Sequence, residues 1–300
     1  MHGGLLVVKP PGMTSHDVVE YVRELCEVKV GHTGTLDPAA AGLLVLCLGA
    51  ATRLSEYLLD CDKTYRAEIT FGITTTTADA EGEITNLQPA SHLTTTQIEA
   101  AISSLTGPLE ITVPVHSAVS QGGVRLYKYA AQAKDVQLPT RRVEVHRWEL
   151  LDFAGGQYPR ALTEVQCSKG TYVRSLAEML GQTLGTGAYL SFLVRTQVGP
   201  HCLQDAYTLA QIAAAAQNGT VEELLLPPPA MLPHLAQVQV DQAAASQLRN
   251  GTPVPLASGS DYSGPVVVVS NAQTLICIAE LSRRQEQQWL QPRKVFDWST

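Results

Sequence analysis

Gly31-His32-Thr33-Gly34-Thr35-Leu36-Asp37-Pro38, with the apolar run Leu43 to Leu48 close behind it, is the stretch on which the reading of this chain turns. The run has the length and composition of a buried strand, so the residues before it read as an exposed loop held by a sheet. Asp37 is the carboxylate of that loop, with no cysteine or second acid beside it. Chemistry there has one oxygen nucleophile or base to use. Asp-Pro near glycine is also a turn signal, and on these residues alone both readings stand.

Three hundred residues at 45% hydrophobic content suit one large or two ordinary globular domains. The formal net charge of −7 argues against a nucleic-acid binder judged by its total field. Residues 123 to 147 run the other way, with Arg125, Lys128, Lys134, Arg141, Arg142 and Arg147 against Asp135 and Glu144. Such a run is a local basic patch for RNA or a solvated charged face. Six cysteines lie scattered without a C-x-x-C pair, and the eight histidines show no ligand spacing with them. Buried thiols in a reducing cytoplasm and no metal are therefore expected. No leader pattern or bilayer-length apolar run stands out, so a soluble protein with no membrane contact is expected.

Outward from the loop, Leu5 to Lys9 reads as a short strand stopped by Pro10-Pro11-Gly12. Thr14 and Ser15 offer caps for a helix with Val18, Val19 and Val22 on one face. Tyr65, Ala67, Ile69 and Phe71 alternate with polar residues as a half-buried strand, and residues 72–83 read as a Thr-rich turn. A helix is expected from Leu93 to Leu105, strands at Arg141–Leu151, Ala161–Cys167 and Leu190–Val198, and an Ala-rich helix near Ile212–Gln217. Val173, Leu176, Ala177 and Leu180 form the apolar stripe of another helix, with Arg174 at its start. The helix dipole repels a cation there, so a carboxylate partner is the better reason for Arg174. Pro227-Pro228-Pro229 reads as a stiff linker, and QLRNGTPVPL with GPVVVVSNAQTLICIAEL as the short strands of a β-rich unit.

LLVVKPPGMTSHDVV, GHTGTLDP, DKTYRAEITFG and SKGTYVRSLAEMLG together resemble blocks of the bacterial tRNA pseudouridine synthase B family, in that family's order. QLRNGTPV extends the resemblance more weakly into the last third. The resemblance implies an α+β fold: a mixed, mainly antiparallel sheet with flanking helices, plus a small β-rich PUA-like C-terminal domain. It implies a catalytic domain at 1–228 with an RNA-gripping insertion at about 108–140, and the PUA-like domain at 234–296. Within the insertion the chain departs from the family, with His116 for a usual tyrosine and Ser120-Gln121 near a usual lysine.

By the same resemblance Asp37 is the nucleophile, Tyr65 stacks on the target uracil and Arg174 pairs with Asp37. Asp79 orients that arginine or caps its own turn, and Thr76 replaces a carboxylate common nearby. Tyr172 and Leu193 line the uracil pocket, Leu193 serving equally well as plain core. His32 fills the space a flipped base leaves or bonds a backbone group, and Lys9 is structural or a strand-end charge. Arg125, Lys128, Arg141 and Arg142 form the RNA-binding patch. Arg283, Arg284, Arg293 and Lys294 touch RNA or keep the tail soluble.

The implied activity is conversion of uridine 55 in the tRNA T-loop to pseudouridine. That step moves C1′ from N1 to C5 of the same uracil without net oxidation, so neither cofactor nor metal is called for. Asp37 attacks C1′ or C6, or abstracts a ribose proton; the residues leave all three routes open. The target must leave its stack first, at a cost of about a few kcal/mol. The short segment before Leu5 and the compact C-terminal part favour a stand-alone enzyme acting without guide RNA, and a monomer is expected. A tRNA-folding chaperone and a carboxylate-pair glycoside hydrolase are the alternatives.

Overall fold

The structure, a computed structural model, describes residues 1–115, 117, 119–121, 124–125, 137–256, 262, 264–284 and 287–298, with backbone alone at 120–121, 124–125 and 284. His116, Lys128 and the side chain of Arg125 lie outside the described residues, as do the side chains of Ser120, Gln121 and Arg284. In chain order the strands and helices begin with β1 (Gly3–Lys9), α1 (Ser15–Cys26), β2 (Val30–His32), β3 (Ala41–Leu48), α2 (Ser55–Leu59) and β4 (Lys63–Phe71). The hairpin β5 (Ile73–Thr75) and β6 (Ile84–Leu87) follows, then α3 (Thr95–Ser104), β7 (Gly107–Thr112), β8 (Ser120–Gln121) and β9 (Val124–Arg125). Next come β10 (Thr140–Ala154), β11 (Arg160–Cys167), α4 (Val173–Thr183), β12 (Ala188–Val198), β13 (His201–Cys202) and α5 (Leu209–Asn218). The last part holds β14 (Gln237–Val240), α6 (Gln242–Arg249), β15 (Val254–Pro255), β16 (Pro265–Ser270), β17 (Leu275–Arg284) and β18 (Gln287–Val295).

The main sheet runs β1-β3-β12-β4-β11-β10-β7, with β2 added to β3 and β13 to β12. Its pairs are antiparallel except β3 with β12, which meet in parallel at Ala41 and Gly42 against Val194 and Arg195. The fold is therefore α+β with a mainly antiparallel sheet, as the family resemblance implied. Uninterrupted apolar strands are the mark of burial on both faces. In β1 and β3 alternate residues serve two cores: Leu5, Val7, Leu44 and Leu46 pack with Val18, Val19 and Val22 of α1. Leu6, Leu43, Val45 and Cys47 face the other way, toward Val267, Val269, Ile278 and Phe296 of the C-terminal part. Each fully buried aliphatic side chain there contributes about 1.5–3 kcal/mol.

The C-terminal sheet, ordered β14-β16-β17-β18-β15, thus shares a core with the main sheet. The proline segment is strapped down and does not span open solvent: Leu226 and Gly4 exchange backbone hydrogen bonds of 2.7 and 2.9 Å. Met231 behind it is fully buried. Arg53 lies over the Phe296 ring, and Lys294 pairs with Glu56 at 2.7 Å. Arg293 pairs with Glu280.

Local chemistry explains the helix starts. Thr14 and Asp17 form a reciprocal cap on α1, and Thr94 with Gln97 does the same for α3. Two expectations need correction. Gln247, Leu248 and Arg249 end a helix, not a strand, because the Asp241 side chain caps an Ala-rich run by accepting from Ala244 N–H. Residues 72–83 are not all turn: Ile73–Thr75 pairs with Ile84–Leu87, since the β-branched residues on both sides favour a ribbon.

Gly42 is held at φ +111°, and a Cβ there would fall on the backbone of Arg195 across the parallel contact. Gly42→Ala is expected to cost roughly 2–5 kcal/mol from strain plus overlap. The measurement is a urea midpoint, and an unchanged midpoint would refute this account of the β3–β12 contact.

Candidate active site

Asp37 stands on the loop between β2 and β3, and the loop is tied on both sides of it. On one side Leu36 N–H donates to Ser15 Oγ at 2.8 Å, and that hydroxyl donates to Leu36 O at 3.1 Å. On the other, Pro38 O accepts from Gly12 N–H at 2.8 Å and from Lys9 Nζ at 3.1 Å. Lys9 is fully buried, and its ammonium also donates to Pro10 O and Met13 O, so every N–H has a carbonyl. Burial lowers its pKa, with Asp37 opposing. Of the two readings of Lys9, the geometry fits the structural one.

Arg174 enters from the first turn of α4 with its side chain only 4% exposed. Its Nε lies 3.1 Å from Asp37 Oδ2 and its Nη2 donates to Asp37 Oδ1 at 3.3 Å, a two-point grip on the carboxylate. Asp79 Oδ2 is 3.6 Å from the same Nε, and Arg174 Nη1 donates to Thr77 O. Asp79 Oδ1 meanwhile accepts from Thr77 Oγ1 and from Glu81 N–H, so one carboxylate reaches both the guanidinium and its own turn. Burial pushes the Asp37 carboxyl above its ordinary pKa; Arg174 opposes the shift and Asp79 adds to it.

A shallow cleft of about 30 Å³ opens beside this carboxylate, between the loop and the edge of β12. Ala39, Ala40 and Ala80 line it together with Leu190 and Leu193. On this edge β12 meets the turn at Asp79 through Leu190 and β3 only from Val194, so residues 191–193 face the cleft with no strand against them. Tyr65 does not line the cleft; it is buried in the core cluster that holds Leu36, Ala40 and Leu193, and the half-buried Tyr172 packs on the same cluster. Burial raises the Tyr65 pKa, with Arg195 opposing, so the ring is a neutral phenol at neutral pH.

His32 Nδ1 accepts from Gly34 N–H at 3.2 Å, which leaves the ring proton on Nε2. Burial and then Arg195 lower its pKa, so it is uncharged near pH 7. Arg141 and Arg142 are exposed on β10, well placed for solvent or a phosphate. Arg141 lies over Gly170, whose φ of +78° and missing side chain make room for the guanidinium. Among the described residues no group of three His, Cys, Asp or Glu is placed to hold a metal ion. No described helix is long and apolar enough to cross a membrane. Burial pushes the Cys47 and Cys277 thiols up to about 12, far from thiolate chemistry.

Sequence reading missed Arg195. It is 2% exposed, donates from Nε to Leu43 O at 2.8 Å and from Nη2 to Gly34 O at 3.0 Å, and sits opposite Tyr65 in the β12–β4 register. The signal was an arginine two residues after Leu193, at an inward position of an apolar strand. Ser15 was noticed only as a cap, and nothing local marked its bond to Leu36.

Comparison with known proteins follows the same lines. Residues 23–173 match the family model "TruB family pseudouridylate synthase (N terminal domain)", and residues 174–233 match "tRNA pseudouridylate synthase B C-terminal domain". The protein named tRNA pseudouridine synthase B of Symbiobacterium thermophilum is 50% identical over 83% of this chain and 82% of its own. That of Pelotomaculum thermopropionicum is 40% identical over 94% and 92%. Among solved structures, a Cbf5-Nop10-Gar1 complex superposes with TM-score 0.76 at 25% identity, covering 98% of this chain and 85% of the matched one.

The raised Asp37 pKa carries a sign that can be tested. A carboxyl whose folded pKa lies above its unfolded value favours folding while protonated, and that stability is lost as pH rises through the folded pKa. Asp37→Asn is therefore expected to be more stable than the parent at pH 7, with the gap closing as pH falls below the Asp37 pKa. Urea midpoints between pH 4.5 and 7.5 measure it; a variant less stable at pH 7 would mean that Arg174 outweighs burial.

Proposed function

The chain belongs to the TruB family of pseudouridylate synthases and forms pseudouridine in tRNA; on that footing we propose that its target is uridine 55 of the T-loop and that Asp37 is its nucleophile. The observation that carries the reading is the Asp37 carboxylate, gripped by Arg174 and lining a cleft with small and apolar residues. Every route to pseudouridine starts from ionised Asp37. Arg174 favours that form against burial, and Asp79 lies 3.6 Å from the same Nε. The flipped uracil enters between the alanines and Leu193; for the Tyr65 ring to stack on it, the core residues that cover the ring must move aside. The C1′–N1 bond breaks, the freed base turns in the cleft, and C1′ joins C5, whose proton leaves to water.

The loop bearing Asp37 has its backbone bonded on both sides, so the carboxylate is in place before substrate arrives, which lowers the reorganisation needed in the transition state. His32, uncharged and at the loop entrance, takes the space the base leaves in the RNA stack. We assign catalysis to 1–228, with RNA gripping by 108–140, and a supporting RNA contact to the PUA-like part at 234–296. Action as a monomer in the cytoplasm on the T-arm, without guide RNA, fits relatives 40–50% identical that are named for tRNA. The protein seen with Nop10 and Gar1 is far more distant.

Tritium release from tRNA transcripts carrying [5-³H]uridine tests the reading. Release is expected from the intact transcript, none with Asp37→Asn, and none from a transcript altered at position 55. Tight binding without release would support a folding chaperone, and free uracil a hydrolase. Arg141→Ala and Arg142→Ala are each expected to weaken tRNA binding and to reduce the slope of log affinity against log salt by about 0.7–0.9. Slopes equal to that of the parent would remove these two arginines from the RNA contact.

A further inference from the structure

Phe192 is 48% exposed in a strand whose neighbours Leu190 and Leu193 are buried, and it lies on the rim of the Asp37 cleft. Its exposure has a cause in the register. Strand β12 carries an extra residue at Ser191, between the pairs Leu190 with Ile69 and Phe192 with Glu68. The Ser191 hydroxyl fixes this bulge by donating to Glu68 O at 3.0 Å and bonding Glu68 Oε1 at 2.8 Å. The bulge lets Leu190 and Leu193 both face inward and turns Phe192 to the outer side, in one cross-strand row with Glu68 and Leu162. Bulges beside active sites commonly re-aim one side chain in this way.

An exposed ring at the lip of a cleft for a flipped base has a natural occupant. Flipping one nucleotide leaves the base next to it with a bare face, and aromatic side chains bind such faces without regard to sequence. We infer that Phe192 stacks on the base adjoining the flipped uridine and so positions the RNA at the lip while the uracil occupies the cleft. This rests on the tRNA-modifying reading above. In the competing explanation Phe192 only covers the stem of Glu68 together with Leu162, which is itself 37% exposed.

Binding and single-turnover measurements on tRNA separate the two. Phe192→Ala is expected to weaken tRNA binding roughly 5- to 100-fold, the range of one base–aromatic stack, with little change in its urea midpoint. Phe192→Trp should restore binding and Phe192→Leu should not, because the requirement is a flat ring and not apolar cover. Leu162→Ala should bind as the parent does. Unimpaired binding by Phe192→Ala, equal rescue by Leu and Trp, or an equal loss in Leu162→Ala would overturn the inference while parent activity stands. A parent protein that neither binds tRNA nor forms pseudouridine would overturn the underlying reading and this inference with it.

Discussion

A guanidinium buried at the positive end of a helix is costly on two counts, desolvation and the dipole, and the active region is built around offsetting that cost. Arg174 is held there by two carboxylates on two different segments, Asp37 from the β2–β3 loop and Asp79 from the turn of the β5–β6 hairpin. Arg174 is the one group common to the three segments, so removing it would leave Asp37 and Asp79 facing each other without a cation between them. Two carboxylates against one guanidinium leave an excess negative charge at the cleft. That excess is why Asp79 raises the pKa of Asp37 even while it positions the arginine that lowers it.

The position of the Asp37 loop comes from a different set of groups. Ser15, Lys9 and Gly12 act from β1 and the start of α1, and Arg195 acts from β12 on Gly34 and Leu43. These are mostly side-chain to backbone bonds, which hold a loop without fixing its side chains. The Asp37 side chain therefore keeps 38% exposure while the chain around it is pinned. Gly42 completes the arrangement, since only a residue without Cβ lets β3 lie against Arg195 where the parallel pairing begins.

Much of this was legible in residue patterns. Continuous apolar runs marked β1 and β3 as buried strands, Thr-x-x-Asp and Thr-x-x-Gln marked helix starts, and the unfavourable place of Arg174 in its helix pointed to a carboxylate partner. What stayed hidden depends on pairing and not on pattern. In a uniformly apolar strand nothing tells which alternate residues meet α1 and which meet the C-terminal sheet, so the shared core behind Met231 could not be read. The bulge at Ser191 exists only relative to β4, and without it the alternation of β12 would turn Phe192 inward. Arg195 was hidden because its partners are carbonyl oxygens, which every residue carries and no sequence motif distinguishes.

The same pairing logic resolves how a chain of net charge −7 can hold RNA. Its exposed cations are largely neutralised in place: Arg66 and Arg147 share Glu164, Arg160 faces Glu68, Lys169 holds Asp60 and Arg293 holds Glu280. An ion-paired arginine contributes little to the long-range field and must give up a partner to bind phosphate. Arg141 and Arg142 form no ion pair with any described residue, whereas the hairpin turn on the other flank of Arg174 exposes Glu81 and Glu83. The local charge therefore differs between segments, acidic on the hairpin turn and basic on β10. Net charge averages over that difference, which is why it misjudges the chain: an RNA backbone senses only the charges within about a Debye length of its path.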